Sequence, residues 1–154
     1  MQARPKANPS YAIARTVTLT AEEAEGRVVD ELKNEGFGVL TKIDVRATLK
    51  AKLGVDVPPY VILGACNPSI AHAAIGLEPD IGLLLPCNVV IRVDPTTQTT
   101  VIEALDPVAQ LGLAHNPELR ALAAEAQSHL QRVVQRAAPG DEAGIVTGGR
   151  NYSA

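Results

Sequence analysis

The 154-residue chain reads as an α+β protein: a curved, mainly antiparallel sheet with helices packed on one face. Three observations carry this reading. First, β-branched strand-like stretches and stretches of 3.6-residue periodicity follow one another along the chain, yet Asp94-Pro95-Thr96-Thr97 joins two of the strands by a tight turn. A tight turn makes an antiparallel hairpin, not a parallel crossover. Second, Pro86 interrupts the most apolar run and marks an edge, a bulge or a break. Third, the chain after Asn116 holds one long amphipathic stretch, long enough to lie across a sheet as its lid. The other sheet face then needs polar residues or a partner.

Residues 1–11 read as a flexible arm, 12–138 as a single α+β domain, and the Gly-rich, mostly polar 139–154 as a disordered tail. Ile13 to Thr20 has the Val/Thr content of a strand, although Arg15 breaks its alternation. Thr20 with Glu23 forms a capping box that opens a helix, AEEAEGRVVDELKNEG, with Ala24, Val28 and Leu32 on one stripe. Gly36 suits the left-handed residue after its end, and Gly26 in its middle implies close packing there. Phe37 to Val45 is a second strand, and Asp44 caps a short helix with the stripe Val45, Leu49, Leu53, ended by Gly54. Tyr60 to Ala65 is a third strand. Asn67 and Pro68 open the helix SIAHAAIGLE. Ile81 to Leu85 and Cys87 to Asp94 read as one bent strand or two strands meeting at Pro86, and Thr99 to Leu105 returns as the next. Asp106-Pro107 opens a short helical turn. Asn116-Pro117 caps the final helix, with the stripe Leu119, Leu122, Ala126, Leu130, Val133 and Ala137.

Composition narrows the function. With 46% hydrophobic and 20% charged residues, a chain of this length can bury a core. A net charge of −3, no Trp and one Phe argue against nucleic acid, which needs phosphate-neutralising Lys/Arg and stacking aromatics. No run approaches the ~20 apolar residues of a membrane span. The first residues include Arg and Lys but no apolar core of a secretory leader, so a cytoplasmic protein is expected. Two cysteines in that compartment do not form a structural disulfide framework.

The segments GFGVLTKIDVRATLKAKLGV, YVILGACNPSIAHAAI and EPDIGLLLPCNVVIRVD resemble the domain-of-unknown-function 302 family, over about Tyr11 to Ala137. The resemblance implies an α+β fold similar to the TATA-binding-protein-like class and a homodimer, but no activity. Lys42 stands where the family usually has an acidic residue, Ser69 replaces a second Pro, and Ala73 replaces a basic residue.

The chemistry candidates cluster in the apolar centre of the chain. Cys66 precedes a helix start, where open amides and the helix dipole favour a thiolate. Cys87 sits beside Pro86, and the two sulfurs meet if their strands are neighbours. Both are candidate catalytic thiols, Cys66 as nucleophile and Cys87 as resolving thiol; burial as small hydrophobes is the competing role. Cys66, His72 and Cys87 form a candidate set of soft or borderline metal ligands, without CxxC or HxxxH spacing. Asn67, His72, Asn88, Thr41 and Asp44 are candidate ligand-binding groups, the two asparagines also serving as caps and turns. Arg92 and Glu103 can pair across the hairpin. No Ser-His-Asp order, phosphate-cradling Gly loop or paired-carboxylate motif stands out, and no cofactor is named by the sequence. The expected function is a homodimeric binding or sensing module using the Cys66/Cys87 region for a small ligand, metal or thiol-reactive species. The alternatives are a thiol redox or sulfur-transfer enzyme and a purely structural dimer.

Overall fold

The structure, a computed structural model, describes residues 8–138 and 146–147. The rest of the expected arm and tail lies outside the described residues. Strand β1 (Ala12–Val17) leads into the capping box: Thr20 Oγ1 accepts from Glu23 N at 3.2 Å, and Glu23 Oε2 accepts from Thr20 N at 3.0 Å. Helix α1 (Ala21–Asn34) buries Ala24, Val28 and Leu32. It stops at Gly36, whose φ of 80° is left-handed backbone that glycine adopts without strain. Strand β2 (Gly38–Asp44) ends at Asp44, whose Oδ1 accepts from Ala47 N and so starts α2 (Val45–Leu53). Strand β3 (Tyr60–Cys66) passes through the Asn67 cap into α3 (Pro68–Leu77).

A six-residue 3₁₀ turn (Pro79–Leu84) precedes β4 (Cys87–Val93). Asp94 Oδ1 accepts from the amides of Thr96 and Thr97, closing the predicted hairpin into β5 (Thr100–Leu105). Asp106 caps α4 (Pro107–Gly112). A 3₁₀ turn (Pro117–Leu119) then feeds α5 (Arg120–Arg136), and a two-residue strand, β6 (Val146–Thr147), follows.

Among the described residues the sheet runs β2-β3-β4-β5-β1-β6, every pairing antiparallel. Helix α1 carries the chain from β1 to the far edge, β2. Helices α1 and α5 lie on one face, where Val28, Leu32, Leu130 and Val133 meet Ile13, Leu63, Val89, Ile91 and Ile102. These side chains are at most 1% exposed, so the long C-terminal helix is the lid the sequence predicted. A smaller cluster of Ala74, Ile81, Leu111, Leu119 and Ala123 ties α3, α4 and the start of α5 together.

Four expectations change. Ile81 to Leu85 is not a strand but mostly 3₁₀ turn: Pro79 begins it, and Ile81 buries into the smaller cluster instead of joining the sheet. A short apolar run does not distinguish these outcomes by periodicity. Gly26 is not closely packed, since a Cβ there would meet nothing within 4 Å. The α2 stripe buries none of its side chains, because no layer stands over it. The final α-helix begins at Arg120, and Asn116 caps the preceding 3₁₀ turn instead. Val146 and Thr147, the described residues beyond Ala138, pair with Ala14 and Ile13.

Candidate functional site

Strand β3 ends with Cys66 and β4 begins with Cys87. The register sets Ala65 opposite Cys87, so Cys66 is one residue beyond the pair. With a strand spacing of ~4.8 Å and a rise of ~3.3 Å per residue, such diagonal Cα atoms stand roughly 6 Å apart. Both cysteines are free and line one small cavity of about 30 Å³ at this end of the sheet. Phe37, Asn67, Ile70, Pro86 and Gln110 are among its other walls. Burial pushes the Cys87 thiol up to about 11, and the neighbouring Cys66 sulfur pushes the same way. Its Sγ–H donates to Gln110 Oε1 at 3.6 Å. Gln110, itself only 6% exposed, donates from Nε2 to the Leu84 carbonyl and, at 3.4 Å, to the Pro86 carbonyl.

The amides expected to polarise Cys66 are largely engaged. Pro68 has no N–H, Ile70 N donates to Asn67 Oδ1 at 3.3 Å, and Ala71 N donates to Asn67 O at 2.9 Å. Asn67 is therefore the helix cap and also a cavity wall. The remaining candidates do not gather with it. His72 is exposed, while the buried side of α3 is Ile70 and Ala74. Among the described residues no group of three His, Cys, Asp or Glu is placed to hold a metal ion, so Cys66, His72 and Cys87 do not form a ligand set. Asn88 is exposed and borders a separate hollow with Tyr11, Leu83 and Leu113. Asp44 caps α2. Thr41 packs over Gly64, where an added Cβ would come within 2.2 Å of Thr41 Oγ1 and 3.0 Å of Pro86 Cγ. Arg92 Nε and Glu103 Oε1 pair at 2.6 Å, as the hairpin predicted.

Two features were missed by reading the sequence. Gln110 lies in PVAQLG with no motif around it, and its partners are 23 to 26 residues away. Glu35 follows the last residue of α1, at the negative end of the helix dipole. Side chains from α5 compensate: His129 Nδ1 lies 2.9 Å and the Arg132 cation's Nε 2.6 Å from Glu35 Oε1, and the Arg136 cation is 3.6 Å from Oε2. Burial raises the Glu35 pKa, but the hydrogen bonds from His129 and Arg132 outweigh it and hold the carboxyl below its ordinary value. His129 also meets the ring of Phe37 edge-on, with centroids 6.0 Å apart, so this cluster backs one wall of the thiol cavity. A larger groove of about 620 Å³ between α4 and α5, bordered by His115, Arg120 and Gln127, holds neither cysteine.

The profile of the Domain of unknown function DUF302 matches residues 13–137. The chain belongs to the DUF302 family. Its fold is similar to the crystal structure of an uncharacterised conserved DUF302 protein from Bacillus stearothermophilus, at a TM-score of 0.77 and 31% identity. That match covers 83% of this chain and 98% of the other. No curated protein matches. In this DUF302 chain both segments that carried the resemblance supply cavity walls: Ala65, Cys66 and Asn67 from GACNP, and Leu85, Pro86 and Cys87 from GLLLPCN. Among the described residues no helix is long and apolar enough to cross a membrane.

Proposed function

We propose that this DUF302 chain is a cytoplasmic, homodimeric sensing module whose Cys66/Cys87 pair reacts with a small thiol-reactive species, a hydroperoxide. The observation that carries the reading is the shared cavity: two free cysteines line one space of about 30 Å³. A water needs about 10–15 Å³ measured this way, so the space fits roughly two water-sized units and excludes a drug-sized ligand. The Cys66 thiolate attacks one peroxide oxygen; an S–O bond forms, the O–O bond breaks, and the other oxygen leaves as hydroxide or alkoxide. The Cys87 sulfur then displaces the sulfenic oxygen. The S–S bond forms, and that oxygen leaves as water with the Cys87 proton. The two thiols lose two electrons and the peroxide gains them.

Dimerisation is supported by apolar side chains that a single copy leaves open around α2, including Ile43 at 48% and Leu53 at 69% exposed. The second reading is a turnover enzyme with Cys87 as resolving thiol. A thiol near 11 is ionised in roughly one molecule in ten thousand at pH 7, and an efficient attacking thiol has a pKa near ambient pH. This favours a slow, stored response over catalysis. Mass spectrometry of freshly purified protein titrated with hydrogen peroxide tests both readings. The sensing reading expects a dimer, one intramolecular bond per chain and about one peroxide consumed. Steady peroxide consumption with a thiol reductant would instead establish the enzyme. Equal labelling of both cysteines only after denaturation would reduce the pair to packing.

A further inference from the structure

Gln110 joins the thiol cavity to the segment beyond it. Its side chain has one accepting end and one donating end, and both are engaged. Oε1 accepts from the Cys87 thiol, and Nε2 donates to the carbonyls of Leu84 and Pro86. The residue is 6% exposed, so water does not readily replace a lost partner. A carbonyl oxygen accepts only, which fixes the amide: Nε2 must face Leu84 and Pro86, and Oε1 is left to face the sulfur. That orientation is satisfied only while Cys87 carries a proton.

We propose that Gln110 is a latch that reads the chemical state of Cys87 and holds or releases the Pro79–Pro86 segment accordingly. The proposal rests on the thiol-sensing reading above and names its output. Once the Cys87 sulfur is bonded to Cys66 it has no hydrogen to donate, and Gln110 Oε1 faces sulfur lone pairs. Turning the amide over presents Nε2 to the sulfur but sets Oε1 against two carbonyl oxygens. Unturned, the amide keeps Oε1 buried without its donor; turned, it withdraws Nε2 from the segment's carbonyls, so both arrangements weaken the tie. This segment carries the 3₁₀ turn, with Ile81 and Leu84 in the smaller apolar cluster and Leu83, 89% exposed, at the surface. Ile81 N donates to Glu78 O at 3.1 Å and Leu85 N to Gly82 O at 3.2 Å at the two ends of the turn. Gln110 is the polar tie from the turn to α4 beside the apolar packing of Ile81 and Leu84 on Leu111, and the thiol's proton keeps it aligned.

Amide hydrogen exchange on the full chain tests this, read at Ile81 and Leu85 with Ile102 in β5 as internal reference. Cys87→Ala removes the donor without any oxidation, whereas Cys87→Ser keeps an O–H donor. The latch expects exchange at Ile81 and Leu85 to rise about fivefold in Cys87→Ala, the size of one lost buried hydrogen bond, and to stay within about twofold of wild type in Cys87→Ser. Peroxide-treated wild type should match Cys87→Ala. Unchanged exchange in a folded Cys87→Ala protein, judged by Ile102, overturns the latch even if the disulfide forms. Faster exchange in Cys87→Ala together with no disulfide under peroxide leaves the latch standing and removes the hydroperoxide reading. Equal acceleration in Cys87→Ser and Cys87→Ala shows that packing, not the proton, holds the segment, and also overturns the proposal.

Discussion

Gly64→Ala is the sharpest test of how the two cysteine-bearing strands are held. The added Cβ would lie 2.2 Å from Thr41 Oγ1 and 3.0 Å from Pro86 Cγ, with Thr41 Cβ at an ordinary 3.6 Å. Neither close neighbour yields easily. Thr41 is β-branched and fixed on a paired strand, and Pro86 is a ring. Overpacking of this kind costs about 1–3 kcal/mol, and two opposed contacts place it near the upper end. Thr41→Ala removes the worse contact but leaves Pro86, so the double variant should recover about half the loss. Urea denaturation at constant slope measures each corner of the cycle. A coupling of about 1 kcal/mol or more is expected, whereas independent sites add to within about 0.5 kcal/mol. Additive behaviour, or a Gly64→Ala cost below about 0.5 kcal/mol, would refute the packing argument. The same displacement of Pro86 should make Cys87 easier to alkylate, a second readout on the site itself.

Three further outcomes follow from the same structure. Gly26→Ala, at an exposed helical position with nothing within 4 Å of the new methyl, should stabilise the protein by up to about 1 kcal/mol, read as a raised urea midpoint. The folded Cys87 thiol titrates near 11 against an ordinary 9.0, so its contribution is complete below about pH 9 and lost as pH rises toward 11. Two pKa units correspond to at most about 3 kcal/mol, and Cys87→Ser should flatten the fall in stability over that window. Glu35 is shifted the other way: its stabilisation is present above its ordinary 4.5 and lost as pH falls through the lower folded value. Glu35→Gln should therefore be less stable near neutral pH and lose less as the pH falls below the ordinary 4.5, followed by denaturant midpoints across that fall.

What could be read from the chain beforehand was local. Thr20 with Glu23, Asp44, Asn67 with Pro68, and Asp94 each act within four residues, and each makes the predicted cap or turn. The α1 stripe of Ala24, Val28 and Leu32 is buried as its spacing required. What failed depended on partners distant in sequence. Nothing near β1 announces that it pairs with β5 and not β2. Ile81 to Leu85 has the composition of a buried strand, and only Leu111 and Leu119, far along the chain, make it a packed turn. At the site, that Cys66 and Cys87 stand at one end of the sheet was foreseeable once their strands were neighbours. His72 fell on the wrong side of its helix, and Gln110 became visible only when α4 folded back over Leu84 and Pro86.

The irregularity in β2 bears on how two copies can meet. Register slips between Val39 and Thr41, which leaves Leu40 unmatched on the outermost strand, 67% exposed. A kinked border of this kind offers a poor template for another chain's main-chain amides and carbonyls, and at the opposite margin β6 matches two residues of β1 among the described residues. Neither rim invites lengthening of the sheet into a continuous ribbon. Copies that associate would be steered toward side-chain contact across a surface, an arrangement that closes after two and does not propagate into fibres.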